Sequence, residues 1–108
     1  MSPEKAIAML DRQLAAHGED IDLRHMASGA AASTETVRAF VRGYKPDEVV
    51  GAIQQGDGKI AVSPTGLVAP PKFNDKTVIG GSKVRNVQSV EEVRLAGVVV
   101  RYNLQVRG

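Results

Sequence analysis

Few side chains in this chain have the type and spacing for chemistry. The two histidines, His17 and His25, stand eight positions apart, and no third ligand sits at a metal-binding spacing. His17 reads as a cation at the negative end of a helix, His25 as a surface strand residue. Glu91-Glu92 is the one pair of adjacent glutamates, and Arg94 two positions on marks it as a solvated connection. Asp47-Glu48 reads as the start of a turn or short helix. Gly56-Asp57-Gly58 and Gly80-Gly81 are turn signals; neither opens a helix in a phosphate-cradling pattern. No Ser, Thr or Lys stands in a catalytic motif, and with no cysteine there is no thiol chemistry or disulfide. The residues assign no catalytic, cofactor-binding or metal role.

Binding is better represented. Arg38, Phe40, Arg42 and Tyr44 interleave cations with aromatics on one strand face, as single-strand nucleic-acid binders do. The competing reading packs Phe40 under a helix or in a subunit contact, with the arginines snorkelling beside it. Arg101, Asn103, Gln105 and Arg107 alternate along the last segment and form a candidate interface face, suited to strand addition or a wet contact. Residues 27–34, Ala27, Ser28, Gly29, Ala30, Ala31, Ala32, Ser33 and Thr34, carry no bulk. They read as a flexible connection: a mobile hairpin tip, or an interface loop that orders against a partner.

The elements that must position these residues are one helix and about six strands. Ser2 is an N-cap, Pro3 suits the first helical position, Ile7, Leu10 and Leu14 share a face, and His17-Gly18 ends the run. The helix therefore spans residues 3–17. Period-two patterns predict strands at about 20–26, 35–43 and 59–64, then 76–79 and another from Lys83. Residues 49–55 suit a strand better than a helix, forming a hairpin with 59–64 across Gly56-Asp57-Gly58. The closing strand puts Val98, Val100, Tyr102, Leu104 and Val106 on the core face. Val84, Val87 and Val90 recur every third residue, which predicts a β-bulge near Arg85 to Val87. The fold class is mainly β with one N-terminal α-helix: a small antiparallel barrel or sandwich in a single domain over residues 1–108.

The totals agree. One hundred and eight residues make one domain, with 43% hydrophobic and 24% charged residues, as in ordinary folded proteins. Aromatics are 4%, so the core rests on Val, Ile, Leu and Ala. Net charge is +2, without a polybasic run, a weak field for a nucleic-acid binder. The N-terminus does not read as a signal peptide and no stretch has the length of a membrane span, so a soluble protein with no membrane partner is expected.

Three segments in order, "VRAFVRGYKPDEVVGAIQQGDGKIAVSP" (37–64), "PPKFNDKTVIGGSKVRNVQSVEEV" (70–93) and "VVVRYNLQVRG" (98–108), carry a resemblance. With them the chain resembles the head-completion, or head–tail connector, proteins of tailed bacteriophages and gene transfer agents. Family members often carry Gly-Asp where Asn74-Asp75 stands here, and some an aromatic at Lys83 or Val84. The resemblance implies a structural virion protein of the stopper type, made in the bacterial cytoplasm and resident in the neck. It implies a homo-oligomeric ring, six- or twelve-fold, between a portal-bound adaptor and the tail or tail terminator. That ring closes the filled head, and DNA later passes through it without sequence-specific binding. A tail terminator or minor tail component is the alternative within phages; a single-stranded nucleic-acid module is the alternative outside them.

Overall fold

The computed structural model describes residues 2–48, 51, 53–54 and 56–108. Helix α1 spans Pro3–His17: the Ser2 hydroxyl accepts the Lys5 N–H at 3.3 Å, and Leu10 and Leu14 are buried. Each buried leucine contributes about 1.5–3 kcal/mol relative to leaving it in water. The helix stops at Gly18, whose N–H donates to the Leu14 carbonyl at 2.8 Å. A Cβ there would lie 2.6 Å from the Leu14 oxygen and 2.9 Å from the Ala39 oxygen, so only glycine fits.

Six strands follow: β1 (Glu19–Ala27), β2 (Ala30–Gly43), β3 (Gly58–Val62), β4 (Lys76–Ile79), β5 (Lys83–Leu95) and β6 (Val98–Arg107), with a 3-10 turn at Pro46–Glu48. They close into a barrel in the order β1-β2-β3-β6-β5-β4, every ladder antiparallel. Two long hairpins, β1–β2 and β5–β6, are stitched together by two short strands. On one side β4 joins Ile21–Arg24 of β1 to Lys83–Asn86 of β5. On the other, β3 joins Ala39–Gly43 of β2 to Tyr102–Val106 of β6. The rest of each hairpin projects past its short partner. Helix α1 lies against β6 and β2.

The barrel is filled by Ile21, Ala39, Ile60, Val62, Val87, Tyr102, Leu104 and Val106, with Val37, Val41, Ile79 and Val99 packed against them. β-branched residues dominate, as expected of a pleated wall.

Several expectations need correction. Residues 27–34 are a hairpin tip, but the connection is only Ser28-Gly29; Ala27 pairs with Ala30, and Ala30–Thr34 belongs to β2. Ser28 (φ 52°) and Gly29 (φ 81°) both take left-handed backbone, the primed turn that matches strand twist. Ala96 and Gly97 close β5–β6 the same way. Of the strand expected over 49–55, Val49, Val50, Ala52 and Gln55 lie outside the described residues. Gly51, Ile53 and Gln54 are not in a strand, and β3 pairs with β2 and β6 instead. Glu91 and Glu92 sit within β5, opposite Asn103 and Tyr102, rather than in a connection.

The expected bulge in β5 exists one residue further on. Val87 pairs with Val106 and Ser89 with Gln105, leaving Gln88 as the extra residue. A second irregularity leaves Val100 unmatched in β6 and reverses the face beyond it. Val99 therefore packs on the core, Val100 turns to the cleft it lines with Ala6 and Leu10 of α1, and Val98 is 45% exposed.

Candidate functional site

Two buried polar clusters organise the molecule. The first starts from β1, where the alternation Ile21, Leu23, His25 carries His25 to the inward face; it is 4% exposed, against the expected surface position. Its Nε2 lies 2.6 Å from Glu35 Oε2 of β2, and its Nδ1 faces Asp75 Oδ2 at 3.4 Å. Asp75 is fully buried. It accepts the Met26 N–H at 3.0 Å, the Lys72 N–H at 3.0 Å and the Lys72 ammonium at 2.9 Å. Burial pushes this carboxyl up, but the Met26 and Lys72 donors outweigh it and hold it below the usual carboxylate range. Glu35 also accepts the Val68 N–H.

An imidazole between two carboxylates has the makings of a proton relay. Here the carboxylate oxygens are occupied by main-chain N–H groups of three separate segments, and His25 and Asp75 are buried. It reads as a lock that ties the β1–β2 hairpin to the loops at 68 and 72–75. Among the described residues no group of histidines and carboxylates is arranged to hold a metal ion.

The second cluster centres on Asp57, which sequence reasoning took for a turn residue. Its carboxylate accepts from the Gln54 N–H at 3.0 Å, the Gln105 amide at 2.8 Å, and Nε and Nη2 of Arg107 at 2.9 Å each. The Arg107 pair, helped by the Gln54 and Gln105 donors, holds this carboxyl far below its ordinary range despite burial. The Ser89 hydroxyl donates to Gln105 Oε1 at 2.9 Å, extending the network to β5.

The candidate interface residues disperse. Arg38 caps the end of α1: its guanidinium donates to the carbonyls of Ala15 (3.2 Å) and Gly18 (2.7 Å), and to that of Leu14 (3.1 Å), which also accepts the Gly18 N–H. Arg42 forms a two-point pair with Glu48 at 3.0 and 3.2 Å, lowering the Glu48 pKa to about 2. Phe40 is half-buried between them. Tyr44 is half-buried too, and burial raises its phenol pKa. Arg101 donates to Asn103, which donates to Glu91 at 2.8 Å across the β5–β6 ladder. Gln105 is buried beside Asp57. Residues 27–34 are exposed at the hairpin tip, and His17 is exposed at the end of α1.

Beside that tip lies a groove of about 680 Å³, lined by Met26, Ser28 and Gly29 from the hairpin, Lys72 to Asn74 from the preceding loop, and Lys76, Asn86 and Gln88 from β4 and β5. Phe73, not singled out from the sequence, is 60% exposed there. A barrel corner holding a lone aromatic between lysines was the available signal. The chain matches no protein-family model and no curated protein sequence.

Proposed function

We propose that this chain is a structural subunit of a tailed-phage neck. Copies form a ring between a portal-bound adaptor and the tail, closing the filled head and leaving a conduit for DNA. The support comes from the resemblance of residues 37–64, 70–93 and 98–108, and from one feature of the barrel: its open ladder edges. Among the described residues, Ala30–Arg38 of β2 have only β1 as a strand neighbour, and Gln88–Leu95 of β5 have only β6. Unpaired N–H and C=O groups along such edges accept a further strand. The edges belong to different hairpins, so joining the β2 edge of one copy to the β5 edge of the next makes a head-to-tail contact, the geometry that closes into rings.

The test is assembly. Light scattering and electron microscopy of the purified chain, alone and with tailless DNA-filled heads, should find rings, free or seated at the portal vertex. A strictly monomeric protein that ignores those heads overturns the proposal. Rings that seat on tails rather than on heads assign it instead to the tail terminator.

A further inference from the structure

Phe73 stands out among the four aromatic residues. Phe40 and Tyr44 are half-buried and Tyr102 is buried, whereas Phe73 is 60% exposed. The turn beneath it is rigid. The Asn74 N–H donates to the Val87 carbonyl at 3.0 Å, and the Val87 N–H returns to the Asp75 carbonyl at 2.8 Å. The Asp75 N–H donates to the Lys72 carbonyl at 3.1 Å, and the buried Asp75 carboxylate grips both the N–H and the ammonium of Lys72. Asn74 takes left-handed backbone (φ 73°) to complete the turn. All these bonds come from residues around Phe73, and the ring itself adds nothing to them. They hold a phenyl group out in water at the lip of the groove.

The chemistry around the ring is cationic and amide-rich. Lys76 donates to Asn86 Oδ1 at 2.6 Å, a neutral partner that leaves its charge uncompensated. Arg24 is the cross-strand neighbour of Lys76, so both side chains leave the same face of the barrel. Among the described residues neither has a carboxylate partner. Among the described residues that line the groove none is a carboxylate, and the neighbouring Asp75 is buried and matched by Lys72. Asn74, Asn86 and Gln88 add donors and acceptors, and 680 Å³ lies within the size range of ligand sites.

We propose that this groove binds single-stranded nucleic acid, with one base stacked on Phe73, phosphates near Lys76 and Arg24, and the amides meeting base edges. Stacking on a single ring tolerates any base, so the site is sequence-independent. It is distinct from the Arg38–Tyr44 face, whose arginines are committed elsewhere, and it stands whether or not the chain forms rings.

Fluorescence anisotropy of a labelled twelve-base oligothymidylate, with the full chain at low salt, tests it. Phe73→Ala should weaken binding about tenfold, within the range for loss of one base stack, and Phe73→Trp should restore it. Lys76→Ala should weaken binding and reduce the slope of log affinity against log salt by about 0.7. The exposed position of Phe73 predicts unchanged thermal unfolding for its variants, which separates binding from folding. Absence of binding, equal affinity for a duplex of the same length, or indifference to Phe73→Ala each overturns the proposal.

Discussion

Replacing Asp57 with alanine tests how much the second buried polar cluster stabilises the barrel. The Asp57 side chain is 2% exposed and receives hydrogen bonds from Gln54, Gln105 and Arg107. Removing it takes the acceptor from three donors. The Arg107 side chain is 33% exposed and rehydrates, so its share is modest. The Gln105 residue is only 7% exposed, and its amide is left without this acceptor, at about 1–3 kcal/mol. With the Gln54 N–H and the lost charge-assisted bonds, the whole substitution costs about 3 kcal/mol. For a domain of this size that corresponds to a fall in Tm of about 15 °C. Urea and thermal unfolding followed by far-UV circular dichroism measure it. The depressed pKa of Asp57 gives the effect a pH signature. The stabilisation is complete above the unfolded carboxylate pKa of about 4 and is lost as pH falls from there through the lower folded value. The gap between wild type and Asp57→Ala should therefore be flat from about pH 6 to 8 and shrink below about pH 4. A loss under about 1 kcal/mol, or a gap that widens in acid, refutes the reasoning.

Substitutions at Gly18 and Arg38 probe the helix seam, with Gly43 as a control away from it. Gly18→Ala places a methyl group against two main-chain oxygens and should cost about 1–3 kcal/mol, read as a lower urea midpoint. Gly43→Ala, with nothing within 4 Å of the new Cβ, should stay within about 0.5 kcal/mol. Arg38→Ala should cost about 1 kcal/mol and speed amide exchange in the last turn of α1, because the carbonyls of Ala15 and Gly18 lose the guanidinium donor and that of Leu14 keeps only the Gly18 N–H. Arg38→Lys should recover little, since a single ammonium cannot span that fork.

The helix and most of the barrel were legible in the sequence because their signals are local. Ser2, Pro3 and Gly18 mark the ends of α1, and alternation marks β1 and the inner half of β6. The hairpin tip was harder. Ala30, Ala31, Ala32, Ser33 and Thr34 show no apolar alternation, and their strand state comes from pairing with β1 around the Ser28-Gly29 turn. That dipeptide was the signal, outweighed by the bland composition around it. His25 falls two positions after Leu23 on the buried face, so the period placed it inside although its polarity suggested the surface. The Asp57–Arg107 pair had no local signal, because fifty residues separate its members. The bulges at Gln88 and Val100 answer to the closure of the barrel, which no short window contains.

The two short strands also bear on how the chain reaches this state. Each long hairpin is built from neighbours in sequence around a two-residue turn, the kind of structure that forms in about 1–10 μs. The ladder of β1 with β4 instead joins Ile21–Arg24 to Lys76–Ile79, and that of β3 with β6 joins Gly58–Val62 to Tyr102–Val106. Neither can form until the intervening chain has been drawn in, with its loop entropy spent before any contact rewards it. The two long hairpins, and the short β4–β5 hairpin with them, need only local contacts, so closing the barrel through β1–β4 and β3–β6 is the non-local step expected to limit the folding rate.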